Sequence, residues 1–499
     1  MNKLSGFLSV VSLCVLVASP CSAATITVNA GGNLQAALDA AKPGDTILLQ
    51  AGATFTGNYT LPLKSGASYI TVRSSAADSQ LPAAGVRMTT AYAALLPKIK
   101  AAGSLHAIRT ATSAHHWRLR FLEIVGNSNG VGDIVRLGTG SETTTAAQPH
   151  HITFDRVYIH GHATMGSKRG IALNGGDTTI RDSHVSDVKL RGTETQAVGG
   201  WNGTGPFLIE NNYLSAVGVN VMFGGADPKV PNLVPSDITI RRNLFTKDLA
   251  WRGTTWTVKG LFELKNARRV LVEGNRFENT WEEDQKGYAM TLMPWNNGAA
   301  RWTAVQDVEI RNNRFDHIAS GITIVGTHRK SGVVASQTTA RIRIANNLLT
   351  DVSKAKWGGH GAFLVTGSGA VDVVVDHNTI IHDGAVTNGN GSGNVRFVFT
   401  NNLAKHNLDG IYGDGFGAGF VSLNKYFRYA IIRRNVLAGG VASKYPADNF
   451  FPPTSQFLGN FVSAAGGNYR LAVSSPYNNA GTDGKDVGAN VDAIEAASP

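Results

Sequence analysis

Over residues 150–440 the apolar positions recur in short alternations, and no stretch there carries the three-and-four spacing of an amphipathic helix. One complete unit is Lys259–Trp281, KGLFELKNARRVLVEGNRFENTW. Residues i and i+2 of a strand share a face. A first strand over Leu261–Lys265 therefore turns Phe262 and Leu264 inward, and Leu261, Glu263 and Lys265 outward. A second strand, Val270–Glu273, turns Val270 and Val272 inward. Asn275 follows, and two positions later comes the apolar Phe277.

This unit repeats. An apolar strand ends in Asn at 212, 243, 275, 313, 347, 378, 402 and 435, at spacings of 24 to 38 residues. Two positions after each Asn stands Leu214, Phe245, Phe277, Phe315, Leu349, Ile380, Ala404 or Leu437. A constant frame with variable spacing is the mark of a repeat with insertions on one side. Short β-branched runs separated by Gly and Asn predict several strands per turn, stacked as a coil of parallel strands. The eight asparagines would then stack in a corner column, amide on amide, with Asn itself taking the left-handed backbone of the corner. Their expected role is structural, at roughly 0.5–1.5 kcal/mol per bond.

Upstream, Asn33–Asp45 is the clearest helix. Leu34, Ala37, Leu38 and Ala41 share a face, Asn33 can cap the start, and Pro43-Gly44-Asp45 ends it. Such a helix can cover the open end of a solenoid core. Residues 73–150 show no clear unit. His115 and His116 are read there as a strand start rather than a metal site, because adjacent strand residues face opposite ways.

Composition narrows the class. The chain has 499 residues, 57 of them Gly and 16% charged. Lys3, the apolar Phe7–Ala18 and the small residues 19–23 read as a signal peptide, so 1–23 is set apart. Pro20 directly before Cys21 argues against a lipoprotein signal. A secreted or periplasmic protein without a membrane span is expected. Both cysteines, Cys14 and Cys21, fall in the signal, which excludes thiol catalysis and disulfides from the remainder. A single β-helix domain is expected over 24–490, with 25–50 as cap and first turn, 441–490 as a closing segment and 491–499 as a tail. The net charge of +11 points to an acidic partner. Export and the lack of long basic runs disfavour nucleic acid, and an acidic polysaccharide fits better.

Three features together carry a resemblance. They are ALDAAKPGDTI at 37–47, the Asn corner column, and the closing SSPY with DGKDVGA within 474–489. They look like secreted right-handed parallel β-helix proteins of the pectin lyase-like superfamily, over about residues 25–490. The resemblance implies an all-β solenoid and, for many members, activity on polysaccharides as lyases, hydrolases or non-catalytic binders. Polygalacturonase-like hydrolases share Gly359-His360-Gly361 with this chain, but their other two elements are absent. Asp376-His377 resembles one pectate lyase segment, while the Arg-x-Pro-x-x-Arg motif is missing. Alginate- and chondroitin-type lyases match more loosely. In them a Lys or Arg removes the proton beside a uronate carboxylate, which Ca²⁺ or cationic groups neutralise.

An outward-facing polar row is expected from Asn174, Asn220, Glu263, Lys265, Thr291 and Thr323. The loops beside it carry Gln196, Trp201, Asn202, Arg252 and Trp295, and Trp251, Trp256, Trp281 and Trp302 stand nearby. Aromatic faces stack on sugar rings, and amides and cations bond hydroxyls and carboxylates. The candidate catalytic residues are Lys265 as base, Glu263 and Arg252. Candidate substrate contacts are Asn174, Gln196, Trp201, Asn202, Asn220, Arg169 and Trp295, with Lys168 in reserve. Glu263 is also the candidate ligand for Ca²⁺. Three functions stand: a lyase for an acidic polysaccharide, a hydrolase in the same cleft, and a glycan-binding protein. A monomer is expected.

Overall fold

The structure, a computed structural model, describes residues 23–328 and 333–498. The expected signal peptide, Ala23 apart, lies outside the described residues. Each turn of the coil contributes one strand to each of three sheets. In one turn these are Val305–Arg311, Arg314–Ile318 and Ser320–Val325, after which the chain returns to the first sheet at Ala340–Ala345. Among the described residues the first, second and third sheets hold 16, 13 and 12 strands, and their pairings are parallel throughout. Stacking of successive turns, with the right-handed crossover that parallel strands adopt, gives a right-handed parallel β-helix. The region 73–150 contains early turns of the same kind, including His115–Arg120, Glu123–Val125 and Val131–Leu137.

The interior is filled by stacked rows. Leu214, Phe245, Phe277, Phe315, Leu349, Ile380, Ala404 and Leu437 lie in register on the second sheet and are buried. Phe277 stacks between Phe245 and Phe315, with centroids 4.4 and 4.9 Å away. Helix Leu34–Ala40 seats Leu34, Ala37 and Leu38 on the first turns, and Asn33 caps it by accepting from the Ala36 amide. It ends before Lys42-Pro43, because the residue before a proline disfavours the helical region.

The corner between the first and second sheets is tight and constant. Asn275 donates from both its backbone N and its Nδ2 to Asn313 Oδ1, at 2.9 and 3.0 Å. The same pair of bonds links Asn212 to Asn243 and continues through Asn347, Asn378, Asn402 and Asn435 to Asn449. Each Nδ2 also reaches a strand carbonyl of the turn before, as Asn313 reaches Val272 O at 2.9 Å. The left-handed backbone falls one residue earlier than expected. Asn211, Arg242, Gly274, Asn312, Asn346, His377, Asn401 and Arg434 have φ between 52° and 62°, and the column asparagines do not. The corner needs one left-handed residue to turn the chain and a separate inward amide to fill it.

The other two corners carry the insertions, including 248–259, 281–287 and 353–363 before the third sheet, and 224–235 and 293–304 after it. Both sets border the third sheet, and its outer face between them is termed the trough. The outside of the tight corner is covered instead. The segment between Ser74 and Lys98 lies along it, with Arg87 bonded to Asn211 and to Arg242 O. The residues set aside as a tail form a helix, Val491–Ala497, capped by Asn490, with Val491 and Ile494 buried against Leu348. No helix among the described residues is long and apolar enough to cross a membrane.

Replacing Asn313 by Ala strands the Asn275 amide and the Val272 and Arg311 carbonyls. A buried group left unpaired costs about 1–3 kcal/mol. The expected outcome is a clear fall in the denaturant midpoint, whereas Asn424→Ala, on the exposed side of helix Phe420–Tyr426, shifts it far less. Equal midpoints for the two variants would remove the column from the stability argument.

Candidate functional site

The bed of the trough is set by strand register. Met222, Glu263, Thr291 and Thr323 are successive outward partners on the third sheet. Glu263 is nevertheless only 1% exposed, because Lys265 folds back over it. Lys265 Nζ lies 3.0 Å from Glu263 Oε2 and forms an ion pair with it. The same ammonium is 3.7 Å from Glu194 Oε2. Lys259 Nζ donates to Glu194 Oε2 at 3.1 Å and lies 3.6 Å from Asp284. Gln196 Nε2 donates to Glu194 Oε1 at 3.0 Å.

On one side of this cluster a cavity of about 340 Å³ is lined by Lys168, Arg169, Glu194, Gln196, Trp201 and Met222. The Arg169 guanidinium lies over the Trp201 ring at 4.9 Å and bonds Asp133 Oδ1 at 3.1 Å. On the other side Lys265 Nζ stands 5.8 Å from the Trp295 ring, and Trp295 stacks on His328 at 4.1 Å. His328 Nδ1 is buried and has no hydrogen-bond partner among the described residues.

The electrostatics separate the two glutamates. Burial raises the pKa of Glu263, the Glu194 charge raises it further, and Lys265 only partly opposes this. Burial also acts upward on Glu194, but Lys265 and Lys259 outweigh it and hold that carboxyl below its usual range. Burial would lower Lys265, yet the two carboxylates prevail and its pKa is raised. Lys265 therefore stays an ammonium at neutral pH, which argues against its expected role as base. His328 is lowered by burial and by the Lys265 charge, so its imidazole is neutral at pH 7. Beneath the bed Lys247 is wholly buried. It donates to the carbonyls of Ala216, Val217 and Gly218 at 2.7 to 3.0 Å, and burial pushes its pKa down to about 7.

Of the residues singled out from sequence, the structure gathers Glu263, Lys265, Arg169, Gln196, Trp201 and Trp295. It places four others elsewhere. Asn174 is buried at a strand end, where its Oδ1 accepts from the amides of Trp201 and Asn202. Asn202 is buried and accepts from Lys229 and Val230. Asn220 turns into the corner and donates to Leu214 O and Thr246 O. All three are buried with no exposed surface, so none can bond a substrate. Arg252 bonds Lys356 O and lies over Trp357 at 5.2 Å, among the loops of another corner. Trp251 and Trp281 form a buried cluster with Val217 and Val258, against which Trp256 packs, so these three rings hold loops onto the coil. Leu261, expected outward, is buried in the core.

Glu194, Lys259 and His328 were not legible as site residues. Glu194 and His328 sit in insertions outside the repeat frame and Lys259 at the edge of one, where spacing carries little information. The proposed Ca²⁺ does not fit. Ca²⁺ takes 6–8 oxygen ligands, and here two carboxylates enclose an ammonium, with a second ammonium on Glu194. Asp376 and His377 lie at the tight corner, where Asp376 accepts from Thr400 and Asn401 and His377 faces Asp483.

Comparison with known proteins agrees with this architecture. The family described as right handed beta helix region matches residues 169–380. No curated protein matches the sequence. Among solved structures, a mannuronic acid specific polysaccharide family 6 lyase from human gut microbiota is similar at 11% identity and a TM-score of 0.51. The match covers 86% of this chain and 91% of the other. An alginate lyase from Paenibacillus sp. str. FPU-7 is similar at 14% identity and a TM-score of 0.34, covering 79% and 97%. The Dettilon tailspike protein is similar at 12% identity and a TM-score of 0.42, covering 82% of this chain and 62% of its own. Register, corner column, the family match over 169–380 and the likeness to the family 6 lyase together identify the fold as a right-handed parallel β-helix.

Proposed function

We propose that this is an exported carbohydrate-active protein that binds an acidic polysaccharide in the third-sheet trough and cleaves it by β-elimination. The observation that carries the reading is the Lys265 ammonium, held as a cation beside a neutral His328. β-Elimination from a uronate needs these two states together. A fixed cation neutralises the substrate carboxylate, so that charge can spread into it, and a neutral base removes the adjacent C5 proton. In this scheme Lys265 and Arg169 hold the carboxylate, and Trp201 and Trp295 supply ring faces. Gln196 bonds hydroxyls and Glu263 anchors Lys265 from below. His328 takes the C5 proton, the C4–C5 double bond forms, the C4–O bond breaks, and the departing oxygen takes a proton from water. A family 6 lyase of the same fold acting on mannuronic acid is in keeping with this chemistry.

A second reading has its own support. Glu194 and Glu263 have pKa values pushed in opposite directions, which is how hydrolases divide base from acid. A hydrolase would need Lys265 to swing off Glu263 before these two carboxyls could flank a glycosidic bond.

A panel of uronate-containing and neutral polysaccharides, followed for both unsaturated-uronate absorbance and reducing ends, separates the readings. Elimination gives both signals, and hydrolysis gives reducing ends alone. Saccharide-dependent thermal stabilisation with no product would leave a binding protein and defeat both enzymatic readings. If elimination is found, His328→Gln is expected to lower kcat about 10²–10⁴-fold with little change in KM. Retained activity in that variant would remove His328 as base while leaving the enzyme class intact. The wild-type rate is expected to be flat through neutral pH and to fall only below about 6.5, as the imidazole gains its proton. A limb placed well above neutrality would instead return the role to a lysine.

A further inference from the structure

Far from the trough, four histidines meet at the start of the first sheet. His115-His116 and His150-His151 lie on adjacent turns, with His115 paired to His150 in the parallel register. Strict alternation would point the two members of each pair to opposite faces. His116 and His151 instead have φ of 58° and 54°. His115 does start a strand, as the sequence reading expected, but this left-handed step brings each pair together on one side instead of on opposite faces. Nδ1 of His115 lies 2.7 Å from Nδ1 of His116, and Nδ1 of His150 lies 2.6 Å from Nδ1 of His151. The pairs then stack, His115 on His150 at 4.9 Å and His116 on His151 at 4.5 Å.

Two imidazole nitrogens this close cannot both present bare lone pairs to each other. They share either one ring proton, as an N–H···N hydrogen bond between neutral rings in complementary tautomers, or a metal ion. Two further geometric features point to the metal. On the next turn Asp177 Oδ2 lies 3.0 Å from His151 Nε2. A carboxylate there holds the proton on Nε2 and leaves Nδ1 as a lone-pair donor, the arrangement that orients histidine ligands in metal sites. Ring nitrogens of His116, His150 and His151 all lie within 4.8 Å of one another. Imidazole donors at about 2.0–2.1 Å suit Zn²⁺ and its neighbours Ni²⁺ and Cu²⁺ rather than Ca²⁺ or Mg²⁺.

We infer that His116, His150 and His151 form a binding site for a borderline divalent transition metal, with Asp177 orienting His151. The site joins two successive turns near the N-terminal end of the coil and shares no residue with the trough. Because its ligands come from separate turns, the ion acts as a clip between them and adds its binding free energy to that of folding.

The test uses the mature chain without a histidine tag, stripped with chelator and dialysed against Zn²⁺, Ni²⁺ or Co²⁺. The expected result is one tightly held ion per chain, a rise in thermal midpoint on loading, and a visible Co²⁺ spectrum characteristic of nitrogen ligands. His116→Gln combined with His151→Gln is expected to abolish stoichiometric uptake. Asp177→Asn, which touches no ion and disturbs the backbone little, is expected to weaken affinity about 10–100-fold. If the double variant does not fold, Asp177→Asn decides by itself. Failure of the wild type to bind an ion, or wild-type affinity in either variant, would overturn the assignment.

Discussion

The hydrogen-bonded asparagine column at the corner between the first and second sheets is the constraint on which the rest of the architecture depends. A parallel coil gains most of its stability by repeating one cross-section, and small errors in register would accumulate from turn to turn. The column prevents this locally. Each amide is tied both to its counterpart on the next turn and to a strand carbonyl on the turn before, so neither can slip alone. Once that corner is fixed, Phe245, Phe277 and Phe315 fall into register behind it and the core follows as stacked layers.

The same constraint decides where chemistry can reside. A corner that must keep its geometry cannot accept insertions freely, so most of the added chain enters at the other two corners. Both border the third sheet, and its outer face between them is the trough. The N-terminal insertion and the C-terminal helix cover the tight corner from outside and leave the trough open. Within it, burial and charge act against each other. Burial pushes the Glu263 pKa up, while the charges of Glu263 and Glu194 push that of Lys265 up against its own burial. The functional proposal rests on that competition, because it determines which group is a cation and which a base.

The fold was largely legible because a repeat states its rule many times. Val270 and Val272, Phe277 and Asn275 each have counterparts at fixed offsets, and alternation alone assigns their faces. The helix at Leu34–Ala40 was legible for a similar reason, since its apolar spacing and its Asn33 cap are local signals. Residues 73–150 were opaque because a long insertion interrupts the frame. The candidate site was legible only where it touches the frame, at Glu263 and Lys265. Asn174 and Asn220 have the outward parity of a binding row, but both stand at strand ends, where the side chain turns to satisfy nearby backbone.

The sequence by itself determined the coil, its inward rows and the charged pair at 263 and 265, because these follow from local periodicity and need no knowledge of distant neighbours. Only the tertiary structure decided what the pair could do. Glu194, Lys259, Trp295 and His328 come to Lys265 from separate loops. Protonation depends on distance and burial, which no one-dimensional spacing records. The paired histidines show the same division. Their repetition at 115–116 and 150–151 is plain in the chain, but a left-handed backbone at one residue of each pair places all four rings on one face.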